Sequence, residues 1–578
     1  MSRDRFLRST YLLTACFSAL VAGCAGDSSD TEESVAGTDV ALRAVLDTAA
    51  PPAVQTTCVH SSSLGKDYEV GPGKAYQSLN AVPWESLGPG DSVRVHWRAT
   101  PYREKVLIAN QGTATDPIVF CGIPDGPSGA PPILDGRGAT SRPQVKFGPN
   151  PGQNSNVESA GVVIVFPGVH WYQQKPKYIV IAGLQVQGAR TDPDPAKADF
   201  TDVAGKPRKY TTYSGKSGAS AIYIWGAENV TVRGNVLTDS GNGLMALSQF
   251  DEKTTSRHLL IEGNDFHGNG NPGSYGTHNA YTEAIDIVYQ YNSFGRLADG
   301  AEGDAIKDRS AGTVIRYNRI EPGEFMINLV DASSGNRDAL VADPTYADSW
   351  IYGNVLIDRP NPNTAVFPGG IGFITNGVYW SSALSHAIVH YGGDSGNVAY
   401  YRRGTLHFYA NTVVIQADAS QNAPVSLFQL TNDPTKPAGT VDLRNNVVFR
   451  AARSPQAAPV AVTLTDSGLA PWTLGAFVLG PSWMSTGISL NPVKPFQTPL
   501  VITQAPIWGG PQNAPGFTNL STYDTRPLAG SALIDNAGPL DALAAAHYPV
   551  LAEYVAPSNG APRTQHGSMM DLGAFEGP

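Results

Sequence analysis

From about residue 230 to 450 the chain repeats one short phrase of apolar and polar positions. A few strand-forming residues lead to a small or turn residue, then Asn, then apolar residues again. It reads Val232-Arg233-Gly234-Asn235-Val236, Ile261-Glu262-Gly263-Asn264-Asp265-Phe266 and Tyr289-Gln290-Tyr291-Asn292. It returns as Ile315-Arg316-Tyr317-Asn318, Ile351-Tyr352-Gly353-Asn354, Phe408-Tyr409-Ala410-Asn411 and Leu443-Arg444-Asn445-Asn446. The marker asparagines lie 29, 28 and 26 residues apart, then 36, 57 and 35. A period of this size signals a solenoid, and no helical stripe runs through the repeats. Each unit is therefore expected to be one coil of short parallel strands. Its β-branched residues point inward and stack into a continuous core. Asn tolerates the left-handed backbone of a tight corner, and its amide can bond to the Asn of the next coil. The predicted fold is all-β: a single-stranded right-handed parallel β-helix with N- and C-terminal caps. A β-propeller would need hairpin signals and a different blade pattern.

The two ends differ from this body. Arg3, Arg5 and Arg8 precede a short apolar run, Tyr11 to Leu20, and then Val21-Ala22-Gly23-Cys24. That order is a secretory signal, and its apolar stretch is too short to span a bilayer comfortably. Small residues leading into Cys resemble the lipobox of bacterial lipoproteins. The resemblance implies removal of residues 1–23, lipidation of Cys24, a membrane contact through that anchor, and an outer-membrane or cell-surface location. Residues 24–55 are rich in Ser, Asp, Glu, Thr and Ala and are expected to be a disordered tether. Residues 56–140 would form the N-terminal cap and first coils, 141–450 the central helix, and 451–578 the C-terminal coils and cap. Two cysteines remain in an oxidising compartment, Cys58 and Cys121, and a disulfide between them is expected.

Composition narrows the chemistry. Charged residues are 16% of the chain, with 61 Gly and 44 Pro, which suits short strands joined by tight turns. A formal charge of −10 argues against a nucleic-acid partner, which normally requires a basic face. It leaves room for a local basic cluster that holds an anionic sugar. No phosphate loop, dinucleotide fingerprint, zinc spacing or nucleophile elbow is present.

The segments Val70-Gly71-Pro72-Gly73-Lys74-Ala75-Tyr76 and Gly88-Pro89-Gly90-Asp91-Ser92-Val93 resemble the opening of β-helix proteins of the pectate-lyase-like superfamily. Pro527-Leu528-Ala529-Gly530-Ser531-Ala532-Leu533-Ile534-Asp535 and Asp571-Leu572-Gly573-Ala574-Phe575-Glu576 resemble its closing segments. The resemblance covers roughly residues 66–578. It implies the fold and a polysaccharide partner; separately, the chain is expected to be a monomer.

Candidate chemistry concentrates in two coils. His278-Asn279-Ala280-Tyr281-Thr282-Glu283 opens one, and Glu302-Gly303-Asp304-Ala305-Ile306-Lys307-Asp308-Arg309 the next. Aligned on Asn292 and Asn318, His278 falls beside Asp304, Tyr281 beside Lys307 and Glu283 beside Arg309. If Ile306 points inward, alternation turns Lys307 and Arg309 outward. Asn328 follows as a third-coil neighbour. This patch has the parts for β-elimination on a uronate polymer, with His278, Tyr281, Lys307 and Arg309 as catalytic residues. Arg309 suits the carboxylate, Lys307 becomes a base if its neighbours lower its pKa, and Tyr281 or His278 serves as acid. Asn279, Asn328, His390 and Tyr391 are candidate substrate contacts, the last two from the Gly-rich run His390-Tyr391-Gly392-Gly393-Asp394. Glu283, Glu302 and Asp304 are candidate oxygen ligands for Ca²⁺.

His-Asn-x-Tyr followed by Lys-x-Arg is loosely similar to the chondroitinase-B and alginate-lyase family, where a Lys and an Arg act with Ca²⁺. This chain departs from that pattern, because its Lys and Arg sit two residues apart on one strand. Two other readings compete. A glycoside hydrolase needs paired carboxyl groups, with Asp304 and either Asp286 or Asp331 as candidates. A surface lipoprotein that binds glycans without catalysis needs only the tether and the long face.

Overall fold

The computed structural model describes residues 64–145, 155–168, 173–190, 219–272, 274–321, 323, 325–359, 386–420, 424–431, 439–466, 476–490 and 500–578, with isolated positions including 52–54 and 58. Cys24, the signal segment and almost all of the predicted tether lie outside the described residues. Among the described residues no helix is long and apolar enough to cross a membrane.

The chain winds through three long sheets, one of 13 strands and two of 11, whose spatial order follows chain order. All pairings within them are parallel. One coil supplies one strand to each sheet, which is the right-handed parallel β-helix predicted from the repeats. The lumen is filled by stacked apolar rows. In one 11-stranded sheet Leu244, Ala280, Ile306, Ile327, Val389 and Phe428 are register partners, and all are fully buried.

The marker asparagines form a ladder along one corner. The backbone N–H of Asn235, Asn264, Asn292, Asn318, Asn354 and Asn411 each donates to the side-chain oxygen of the next marker, at 2.9–3.0 Å. Each side-chain amide also donates to that oxygen and to a carbonyl of the preceding coil, as Asn292 does to Asn318 and Ile261. The left-handed residue is not the Asn itself, as the sequence suggested, but the one before it. Tyr291 has φ 59°, Tyr317 54° and Ala410 51°, while Gly fills the same place at 234, 263 and 353. The Asn is turned into the ladder, so the preceding residue makes the corner. For a non-Gly residue this costs about 1–2 kcal/mol.

Those rings carry a C-terminal strap. Tyr409 donates its hydroxyl to the carbonyl of Tyr548 at 2.6 Å, and Trp350 stacks on Tyr548 with centroids 4.0 Å apart. The Tyr317 hydroxyl accepts the Leu551 N–H at 2.9 Å, Gly560 lies against the Tyr291 ring, and Asn559 accepts the Val54 N–H at 2.8 Å. The strap therefore runs back across successive coils, and Val54 is buried beneath it rather than free in a tether. Cys58 and Cys121 form a disulfide with Cα atoms 5.6 Å apart.

Candidate functional site

The sheet described above by its apolar row presents a second row outward. Register pairs Met245 with Tyr281, Tyr281 with Lys307, Lys307 with Asn328 and Asn328 with His390. The strands are Asn242–Leu247, Ala280–Thr282, Ile306–Asp308, Ile327–Leu329 and His386–Tyr391. Period-two alternation places Ile306 and Asp308 in the lumen and Lys307 outside. Arg309, just past the strand end, returns toward Tyr281.

Arg309 is the hub. Its Nε donates to the Tyr281 hydroxyl oxygen at 3.0 Å, one terminal nitrogen donates to the Asp331 carbonyl, and the other reaches Asp394 at 2.7 and 2.9 Å. Lys307 Nζ donates to the same Asp394 carboxylate at 2.6 Å. Burial alone would lower the pKa of Lys307 and raise that of Asp394. Their mutual attraction outweighs it, so the ammonium is held above its usual value and the carboxylate far below its own. The guanidinium likewise stays charged despite burial, held by Tyr281, Asp394, Asp331 and Glu283.

Asp394 is carried by a Gly-rich turn. Gly392 has φ 130°, and a Cβ there would collide with the Thr431 carbonyl, so only Gly fits. Asp331, wholly buried, accepts the N–H groups of Asp394 at 2.7 Å and Ser395 at 3.3 Å, and also the Ser395 hydroxyl. The backbone is thus pinned while the Asp394 side chain stays 26% exposed.

Behind this layer lies a buried polar chain. Thr431 and His390 Nε2 are 2.9 Å apart, His390 Nδ1 meets Asn328 Oδ1 at 2.9 Å, and Asn328 Nδ2 donates to Asp304 at 2.8 Å. Because Asn328 gives its amide hydrogen to a carboxylate, its oxygen faces His390. The imidazole then carries its proton on Nδ1 and accepts from Thr431. Burial lowers the His390 pKa to about 4, so the ring is neutral near pH 7. Burial raises that of Asp304 to about 6, against the pull of Lys307, Asn328 and Phe325 N–H. His278 Nδ1 accepts the Asp304 N–H at 2.8 Å, and its ring stacks on Tyr281 with centroids 5.6 Å apart. Burial, with Lys307 and Arg309 nearby, pushes the His278 pKa well down. That leaves a neutral ring with its proton on Nε2.

The structure brings His278, Tyr281, Lys307, Arg309, Asn328 and His390 together, with changed roles for several. Lys307 is a held cation, not a base, because Asp394 raises its pKa rather than lowering it. Asn328 and His390, although on the outward row, are covered: Asn328 bonds to Asp304 and His390 to Asn328 rather than either meeting solvent. Tyr391 is no substrate contact: the residue after outward-facing His390 must face the lumen, and it is fully buried there with its hydroxyl on the Gly404 carbonyl at 3.3 Å. Asn279 is likewise sealed, accepting from Asn269 at 3.0 Å and donating to the Gly295 carbonyl at 2.8 Å.

The calcium set does not fit either. Glu283 spends one carboxylate oxygen on the N–H groups of Ser333 and Ser334 at 3.1 and 2.9 Å, and Asp304 takes Phe325 N–H and Asn328. Glu302 is half-buried at the start of its coil. Among the described residues no three His, Cys, Asp or Glu side chains gather as metal ligands. The hydrolase pairs also separate. Asp286 lies on the 13-stranded sheet with His258 at 2.8 Å. Asp304 precedes its three-residue strand and Asp331 follows the paired one, so the two lie beyond opposite ends of the row. Asp308 is in the lumen, bonded to Thr282, Ser310 and Thr313.

Two residues that sequence reading underused complete the site. Asp394 closes it, and Thr431 ends the buried chain. On the same sheet Trp225, register partner of Leu247, packs tilted against Phe166 and Phe250, with centroids 4.9 and 6.1 Å away.

Fold and site together define a parallel β-helix protein with a cation, phenol and carboxylate cluster on one outer face. No family model matches the chain, and no curated protein matches it. Among solved structures it is similar to the pectate lyase Pel9A at 11% identity, covering 89% of this chain and 97% of that one, with a TM-score of 0.36. It is also similar to an alginate lyase from Paenibacillus sp. str. FPU-7 (13% identity, 65% and 92% covered, TM-score 0.34). A GH136 lacto-N-biosidase from Eubacterium ramulus gives 9% identity, 76% and 67% covered, and a TM-score of 0.35. At such identities the likeness concerns backbone architecture only.

Proposed function

We propose that this protein is a polysaccharide lyase that cleaves a uronate-containing glycan by β-elimination, displayed on the cell surface through a lipid at Cys24. The observation that carries this is the Tyr281–Arg309 pair beside Lys307 on one outward row of the sheet. Elimination requires the sugar carboxylate to be neutralised, the proton at carbon 5 removed and the leaving oxygen protonated. Arg309 and Lys307 supply two fixed positive charges for the carboxylate. To act as the base Tyr281 reacts as its phenolate, whose charge the Arg309 N–H stabilises. It takes the carbon-5 proton, becomes the neutral phenol, and the electron pair left on carbon 5 expels the leaving oxygen. The same phenol then returns the proton to that oxygen. His278 backs the Tyr281 ring, and Asp304 with Asn328 and His390 fixes the strand stack beneath. No step runs through calcium.

A glycoside hydrolase needs two carboxyl groups reaching the bond. Here Asp394 is partly exposed but Asp304 is sealed, so elimination is favoured. The test is incubation with polygalacturonate, alginate and glycosaminoglycans, with and without Ca²⁺, followed by the ultraviolet absorbance of unsaturated uronate ends. Saturated reducing ends alone would refute elimination. Glycan binding retained in Tyr281→Phe with cleavage lost would separate an enzyme from a binding protein.

A further inference from the structure

We infer that Asp394 is an internal stand-in for the substrate carboxylate: it occupies the Lys307/Arg309 anion site in the free protein and yields it to a carboxylate-bearing sugar. The inference rests on the uronate reading above but concerns recognition rather than cleavage. Both Asp394 oxygens lie on these two cations, at 2.6 Å from Lys307 Nζ and 2.7 Å from an Arg309 terminal nitrogen. Each carboxylate oxygen thus meets a cationic donor, the charge-assisted pairing that a uronate carboxylate would also make.

The turn is built for exchange. Asp331 anchors the backbone N–H groups of Asp394 and Ser395, so the turn stays in place without the side-chain pairing. The Asp394 side chain is 26% exposed, whereas that of Arg309 is 8% exposed. Rotation about the Asp394 Cα–Cβ bond frees both cations toward solvent without moving the chain. The exchange replaces one anion by another, so neither cation is left bare in a buried setting, where an unpaired charge is costly. A neutral sugar offers no such replacement. Asp394 therefore selects for carboxylated glycans as a competitor that only an anion displaces.

The competition has a measurable size. A tethered carboxylate acts at an effective concentration of about millimolar or higher, so its removal should strengthen binding of a free carboxylate by roughly tenfold or more. The experiment titrates the full-length protein and its Asp394→Asn variant with glucuronate and with glucose by calorimetry. Tighter glucuronate binding in the variant, with glucose unchanged, is the expected result. Equal or weaker glucuronate binding in a folded variant overturns the inference. If Asp394→Asn does not fold, the unaltered protein decides. Carbodiimide amidation of Asp394, read by mass spectrometry, should rise several-fold with trigalacturonate and not with its carboxyl-reduced form. Unchanged or reduced labelling overturns the inference. Because neither readout needs cleavage, an absence of elimination products would sink the lyase proposal while leaving this one standing.

Discussion

Replacing Asn318 with Ala tests whether the asparagine ladder holds the coils together. The Asn318 side-chain oxygen accepts the Asn292 N–H and side-chain amide, both at 2.9 Å. Its amide donates to the carbonyls of Tyr289 at 3.0 Å and Arg316 at 2.8 Å, and to Asn354 at 3.0 Å. Truncation leaves the Asn292 side chain its bond to Ile261, and Asn354 keeps the Asn318 backbone N–H. The Asn292 N–H, fully buried, loses its acceptor. An orphaned buried donor costs about 1–3 kcal/mol, and each further bond lost about 0.5–1.5. The expected loss is therefore at least about 3 kcal/mol, a large share of a typical domain's stability of about 5–15. Urea unfolding followed by circular dichroism measures it. Asn536→Ala is the control, since that exposed residue bonds only to nearby carbonyls, and it should change stability by less than about 0.5 kcal/mol. Asn318→Asp keeps an acceptor but turns an oxygen toward three others, and should be no better than Ala. A loss below about 1 kcal/mol for Asn318→Ala would show that lumen packing, not the ladder, carries these coils.

Other expectations are more local. Tyr281→Phe should cut elimination by at least a hundredfold while leaving glycan affinity within a few-fold, since the phenol carries the proton and the cations carry the sugar (about 10²–10⁴ is usual for a positioned acid or base); an equal loss of affinity would refute that division. Arg402→Met should cost about 3–5 kcal/mol, read as a lower thermal midpoint. Arg402 is fully buried, donates to the carbonyls of Val330 at 3.0 Å and Ser310 at 2.8 Å, and pairs with Asp308, which would be left buried beside fewer donors. His390 gives a pH dependence. Its folded pKa of about 4 lies below the ordinary 6.5, so the unfolded chain binds the extra proton as pH falls. Its contribution is complete above about 6.5 and is lost toward pH 4, up to about 3 kcal/mol. Asp304, raised to about 6, works in the opposite sense over the same range. His390→Asn should therefore lose less stability than the wild type between pH 7 and 4. Parallel stability–pH curves for the two would refute the assignment.

The architecture was legible because the same constraint recurs in every coil. Asn235 to Asn446 mark a corner that must repeat for the ladder to close, and one register, Tyr281 beside Lys307, follows from the 26-residue spacing. What was lost was phase and distance. Alternation says that His390 and Tyr391 face opposite ways, but not which faces out. The strand after Asn328 lies 62 residues further on, at His390, so no neat repeat pointed to Asp394 as the partner of Lys307 and Arg309. The lowering of the Lys307 pKa that its neighbours would need to supply is reversed by that carboxylate. Metal ligands were misread for a related reason. Glu283 and Asp304 look available along the chain, yet the fold feeds them backbone N–H groups, which sequence does not display.

The C-terminal strap has a further consequence. Coils that touch only their neighbours can open one at a time, from either end or from the middle. A band fastened at Tyr409, Trp350, Tyr317 and Tyr291 makes several of them open together or not at all. During synthesis those coils emerge first and wait without their fastening until residues past 548 leave the ribosome. A chain cut short there would hold its coils in order but without the means to stay wound.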